Sequence, residues 1–418
     1  MPLATSCGNA ARMTPEQPPA SPAKITRGSA AFRAITLCMT LAGLATFALM
    51  NCVQPLMPLF THAFNISPAQ ASLSLSINIG VLALLMPFAS LVSERLGRKQ
   101  VLVASLLSSG VICVASATAD SWNTFLFYRA LQGAAFSGVP AIAMAYIAEE
   151  VASSDSGYAA GVYVSGAAFG GMAGRVLAGF VADTWGWRAS LIAIGVVGVT
   201  SAALFTWLLP RSRHFVSQRS GWKPLLAIYR QHASNRALQR AYLTAFMMMG
   251  SLVMVYNFLG FRLIEAPFNL SQTFVGSLFL TYLAGIYAST FAGKLADRHG
   301  PKIVSIGSLS CCAVGGLMMV ATSLPVVVTG LVLFTVGYFA THSVANGSVS
   351  RQVTLGKSQA STLYFVSFYI GGAILGWAGG VAWAHLAWLG VTALLMVVIG
   401  LTFAFGLGTA PQGKATGQ

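Results

Sequence analysis

The sequence predicts an all-α membrane protein with twelve transmembrane helices in two six-helix pseudo-repeat bundles, and three observations carry that prediction. Hydrophobic residues make up 56% of the 418 and charged residues 8%, against roughly a quarter charged in a typical soluble domain. That is too little polar side chain to cover a folded surface in water. Apolar stretches of about 20 residues, the length that crosses roughly 30 Å of hydrocarbon as a helix, recur along the chain. The charged stretch SERLGRKQ at 93–100 returns nearly unchanged as LADRHGPK at 295–302, with Arg95 and Arg298, and Gly97 and Gly300, each 203 residues apart.

Residues 1–32 are polar and rich in Pro, Ala and Ser, with no apolar core ahead of a small-residue cleavage site. They read as a cytoplasmic tail rather than a removable signal peptide. Six apolar spans follow at 33–57, 70–92, 100–119, 122–148, 157–182 and 188–209, and together they form a first bundle over 33–209. A basic linker occupies 210–239. Its stretch RSRHFVSQRSGWKPLLAIYRQHASNRALQR carries seven Arg or Lys and no acid. Trp222, Leu225, Leu226 and Tyr229 would let part of it lie on the membrane surface; a solvated linker is the other reading. Six more spans at 240–262, 271–293, 302–322, 325–347, 361–381 and 384–406 form a second bundle over 240–407, and 408–418 is a second cytoplasmic tail.

The net charge of +15 would fit nucleic acid if it were spread over one surface, but here the cations cluster in the gaps between spans. That pattern is the one the positive-inside rule produces. With the N-terminus in the cytoplasm, 20 of the 24 Lys and Arg fall inside, Arg188 and Arg262 fall outside, and Arg129 and Arg175 lie within spans. Both termini are then cytoplasmic and nucleic acid is not a partner. Six cysteines lie in the tail or in apolar runs, without a CxxC pair or a histidine at ligand spacing, so neither disulfide nor metal is expected.

On these residues the chain resembles the major facilitator superfamily, whose G-x-L-a-D-R-x-G-R-K motif is met almost fully by GKLADRHGPK at 293–302 and more loosely by SLVSERLGRK at 90–99. RALQG at 129–133 is similar to the family's R-x-x-Q-G motif of span four. NCVQPLMP at 51–58 resembles the proline-rich end of span one in drug exporters. GAAFGG at 166–171 is similar to the antiporter motif G-P-x-x-G-G, with Ala167 where the proline belongs. GGMAGR in span five with ATHSVANG in span ten is most similar to the acriflavine-sensitivity subgroup of bacterial exporters. The resemblance implies a multi-pass protein of the bacterial inner membrane, a monomer that exports small molecules as a proton antiporter and needs no cofactor beyond the proton gradient. Import of a sugar or organic anion is the alternative, and a polytopic membrane enzyme is the third class. An enzyme would need a catalytic pair at one depth, yet all nine acids fall in loops or at span ends. GTAPQGKA at 408–415 nearly spells a phosphate-binding loop, but Ala415 replaces its Ser or Thr.

Candidate site residues follow from depth and polarity. Asn51, Gln54, Asn78, Gln132, Tyr256, Asn257, Tyr282 and Tyr364 are polar groups expected to face a midplane substrate site between the halves, or else to satisfy neighbouring backbone groups. His342 is a histidine well inside a span and a candidate proton carrier. Arg129 and Arg175 share one layer of the first half. Either they are satisfied locally, Arg129 by backbone carbonyls and Arg175 by Asp183, or one of them faces the cavity and favours anionic or neutral substrates. At the cytoplasmic gate the resemblance implies that Glu94 and Asp297 join the halves, through Arg95, Arg98 and Arg298 beside the turn residues Gly97 and Gly300. Gly166, Gly170, Gly171 and Gly174 in span five and Gly372, Gly376 and Gly380 in span eleven form small-residue stripes. Such stripes are expected either to slide between the bundles or to pack statically.

Overall fold

The computed structural model describes residues 24–210, 212, 222–353 and 356–406. Cys7, Arg12, Arg211, Arg213, Arg219 and the near-loop at 408–415, including Lys414, lie outside them. Among the described residues the regular structure is helical, apart from an isolated bridge between Ile25 and Val151. Ten helical segments are long and apolar enough to cross a membrane. Two of them are helix pairs joined at a reversal, so the chain makes twelve crossings among the described residues.

Span one is α1, Ala30–Asn51, capped by the Ser29 hydroxyl, which accepts from the Phe32 N–H. It does not stop near residue 57: the turn at 52–56, which contains Pro55, leads into α2, Met57–Phe64. Proline cannot donate the next helical hydrogen bond, so the helix breaks there and resumes. α3, Pro68–Leu96, opens on a capping box between Ser67 and Gln70, and α4 covers Arg98–Ser116. Span four is α5, Trp122–Phe136, and α6, Val139–Glu150, divided at Ser137 and Gly138. α7, Ser153–Leu208, reverses at Gly186, and the Ser190 hydroxyl donates to the Ala178 carbonyl at 3.0 Å across that reversal.

The second half repeats this plan after α8, Trp222–Ala233, whose His232 ring nitrogen sits 3.2 Å from the Gly356 carbonyl. Its spans are α9, Arg236–Ile264; α10, Gln272–Ser277, continued by a 3₁₀ turn at Leu278–Thr281 into α11, Tyr282–His299; α12, Pro301–Met318; α13, Leu324–Arg351; and α14, Lys357–Leu401, which reverses at Leu386 and Ala387. The two charged turns are equivalent tight reversals, between α3 and α4 at Gly97 (φ 97°) and between α11 and α12 at Gly300 (φ 87°). Only glycine takes that backbone without strain. We call the end that carries these turns the basic end. At the opposite end, Arg188 donates to the carbonyls of Ala117 and Ala119 beyond α4, and Arg262 to those of Val320 and Ala321 beyond α12. These two cations therefore cap equivalent helix ends.

The glycine stripes divide. Gly166, Gly170 and Gly174 lie against Thr40, Leu44 and Ala48 of α1, so the span-five stripe packs within the first half and is not a sliding surface between bundles. The span-eleven stripe touches both halves: Gly372 faces Met249 and Val253 of α9 and also Ile79 of α3, Gly376 faces Val253 and Ser76, and Gly380 faces Ala69 and Phe258. Contact between α3 and α14 thus runs from Ala69 to Gly80, which lies 3.6 Å from the Ala373 methyl by its Cβ direction, a rise of roughly 17 Å. Near the opposite end, Gly179 of α7 meets Gln272 and Gly276 of α10. One turn beyond, the Asp183 carboxylate accepts from the N–H groups of Gln272 at 2.9 Å and Thr273 at 2.6 Å. These contacts close the bundle opposite the basic end.

Candidate substrate site at the junction of the halves

The turn after α1 presents Gln54 to the centre of the bundle, where α7 supplies Arg175 and α9 supplies Asn257. All three are buried, with Arg175 4% exposed and Asn257 fully covered. Arg175 Nε donates to Gln54 Oε1 at 2.6 Å, and Gln54 Nε2 donates to Asn257 Oδ1 at 2.7 Å. The chain of hydrogen bonds thus passes from the first half into the second. One terminal nitrogen of Arg175 donates to Asn51 Oδ1 at 2.8 Å, and the other to the carbonyl of Gly171, one turn back, at 2.7 Å. Asn51 Nδ2 donates to the Phe47 carbonyl at 2.8 Å, which aims its oxygen at the guanidinium. Gly171 leaves room for this fold-back: a Cβ there would stand 3.2 Å from the nearer guanidinium nitrogen.

The second half covers the guanidinium with aromatic faces. Its carbon lies 4.4 Å from the Phe279 ring centroid and 5.2 Å from that of Tyr282, a contact worth about 0.5–2 kcal/mol. Phe279 belongs to the 3₁₀ turn of span eight, and Tyr256 braces that turn. The Tyr256 ring stacks on Phe279 at 4.7 Å, and its hydroxyl pairs with those of Thr281 at 2.6 Å and Thr335 at 2.8 Å. A 3₁₀ interruption inside a long helix often marks a hinge.

The structure separates the two buried arginines. Arg129 serves its own half, donating to the carbonyls of Ser74, Leu49 and Met50 and to Gln132 Oε1. Gln132 in turn donates to the Ser109 carbonyl, and Asn78 Nδ2 donates to the Arg129 carbonyl. Arg175 does not reach Asp183, whose two oxygens are engaged by α10. His342 lies apart on α13, its Nδ1 2.9 Å from the Tyr364 hydroxyl and its ring between Tyr338 and Phe368. At the basic end two ion pairs lie each within one half: Arg98 with Glu149 at 2.9 Å and Asp297 with Arg351 at 3.5 Å. Glu149 and Arg351 were not among the expected gate residues, and neither pair joins the halves. Sequence reasoning also missed Phe279, Thr281 and Thr335, and no local motif marks them. The five described cysteines are free thiols.

Two pseudo-equivalent six-helix halves, crossing a membrane twelve times around a buried polar junction, define a multi-pass membrane transporter. The family model of the Major Facilitator Superfamily matches residues 39–376, and the chain belongs to that family. It is 40% identical over 379 residues to the inner membrane transport protein YnfM of Escherichia coli (strain K12), covering 90% of this chain and 91% of that one. To the uncharacterized MFS-type transporter YybF of Bacillus subtilis (strain 168) it is 36% identical over 375 residues, covering 90% and 93%. The fold matches the crystal structure of a bacterial homologue of the human lysosomal transporter Spinster with a TM-score of 0.70 at 16% identity, covering 90% and 95%.

Proposed function

We propose that the chain is a secondary active transporter that exports small molecules in exchange for protons, by alternating access about the Arg175–Gln54–Asn257 junction. In this reading the basic end faces the cytoplasm of a bacterial cell, both termini lie there, and the protein works as a monomer in the inner membrane without enzymatic activity. The observation that carries it is the hydrogen bond from Gln54 to Asn257. It links the halves at a buried polar point, while Asp183 and α10 close them at the opposite end. Rocking about that point would open one end as the other closes. Export is supported by the likeness of 51–58 and 166–171 to exporter motifs. Proton coupling is supported by His342, a titratable ring held by Tyr364 in the half of α13 nearer the basic end.

The test is purified protein in proteoliposomes with an internal pH dye, screened against a mixed substrate panel. Substrate-dependent proton movement that vanishes with a proton ionophore is the expected result. Substrate movement indifferent to the proton gradient would remove the coupling from the proposal.

A further inference from the structure

We propose that Arg175, Asn257 and Tyr282 form a recognition site for the carboxylate of a small organic anion, the cargo of the transporter proposed above, on which this assignment rests. A guanidinium offers five N–H groups, and three of those on Arg175 are used, all on neutral acceptors: Gln54 Oε1, Asn51 Oδ1 and the Gly171 carbonyl. The buried positive charge therefore has no anionic partner among its hydrogen bonds. A charge at such depth costs about 3 kcal/mol or more and persists mainly where it has a partner or a role.

Two further polar atoms beside it are also unsatisfied. Asn257 Nδ2 and the Tyr282 hydroxyl are buried without a hydrogen-bond partner. Asn257 is tied to the guanidinium through Gln54, and the Tyr282 ring lies 5.2 Å from the guanidinium carbon. Leaving such groups unpaired in a buried site is costly.

These donors match one chemical group. The two spare guanidinium N–H groups, the Asn257 amide and the Tyr282 hydroxyl are four donors, and a carboxylate accepts about four hydrogen bonds, two of them as a fork from one arginine. A cation would meet like charge. Because Arg175 belongs to the first half and Asn257 and Tyr282 to the second, a bound carboxylate bridges the halves beneath the contacts of Asp183 with α10. Occupancy and closure of that end are thereby coupled.

The experiment is ligand-induced thermal stabilisation of the purified full-length protein in detergent. The probes are benzoate, benzamide and benzamidine, which share a shape and differ in charge, then a panel of aliphatic mono- and dicarboxylates, with chloride and inorganic phosphate as separate arms. At least one carboxylate should raise the melting temperature while its amide analogue and benzamidine do not, and Arg175→Gln should abolish the shift. Tyr282→Phe guards against a folding artefact: its hydroxyl has no partner, so melting without ligand should not change, while carboxylate affinity should fall about tenfold or more. The proposal is overturned if no carboxylate stabilises the parent, if Arg175→Gln and Tyr282→Phe bind carboxylate like the parent, or if benzamidine binds instead. Stabilisation by chloride or phosphate and by no carboxylate overturns the assignment to an organic anion. Carboxylate binding without proton movement in the liposome assay would remove the proton coupling from the proposed function and leave this site standing.

Discussion

Gln54 and Asn257 hydrogen-bond to each other at 2.7 Å and stand 203 residues apart, the same spacing that separates Gly97 from Gly300. Equivalent residues of two repeats can touch only where the axis relating the repeats passes between them. The junction therefore lies on the pseudo-twofold axis that relates the halves, and both halves contribute equally to it. Gln54→Leu removes both the Arg175 and the Asn257 bonds, whereas Asn257→Ala removes one. Substrate flux in proteoliposomes should fall in both, and further in Gln54→Leu, by roughly the 1.5–3 kcal/mol of a hydrogen bond to a charged group.

Glycines on opposite faces of α7 should differ sharply in their tolerance of a side chain. A side chain at Gly170 would run into the backbone of Leu44, whereas Gly161 has open space around its Cβ direction. Gly170→Val should cost about 1–3 kcal/mol through overpacking and lower the yield of folded protein, and Gly161→Ala should not. Fluorescence size-exclusion profiles of the two variants give the answer; equal profiles would mean that the α1–α7 contact is looser than described.

His342 is held by Tyr364 and two aromatic rings, away from the arginine junction. If it carries the coupled proton, His342→Gln should abolish proton-driven flux yet permit exchange of labelled for unlabelled substrate at equilibrium. Full proton-driven flux in the variant would transfer the role to Glu149, Glu150 or Asp183.

At the basic end the Asp297–Arg351 pair is more than half exposed on both sides, and such pairs contribute about 0–1 kcal/mol to stability. Asp297→Ala and Arg351→Ala should therefore leave protein levels near normal, while each of them and Glu94→Ala should lower transport through the balance of states. Parental transport rates in all three would remove the gating role.

The spans, the repeat and the charged turns are legible in the sequence because each depends on local chemistry: apolar length, cation placement, and glycine at a tight reversal. Span one extends past its expected end because Pro55 looks like a terminator when α2 resumes beyond it. The site is less legible, since its bonds join residues 121 and 203 positions apart. Asp183 looks like the partner of Arg175 because it lies two turns along the same helix. Gly171 instead lets the guanidinium fold back toward Asn51 and Gln54, and the carboxylate is drawn to the exposed N–H groups at the start of α10. Such helix N-termini attract anions, but the partner is 89 residues away and no spacing rule reaches it.

Alternating access about the junction requires that Asp183 and α10 separate in every cycle. In a chain whose own six cysteines are replaced, Asp183→Cys with Thr273→Cys sets two thiols where the carboxylate now meets the Thr273 N–H at 2.6 Å. The most direct measurement is substrate flux through this protein before cross-linking, after cross-linking and after reduction. Flux should stop when the link forms and return when it is cut; undiminished flux through the linked protein would show that the halves do not part there and would contradict the mechanism.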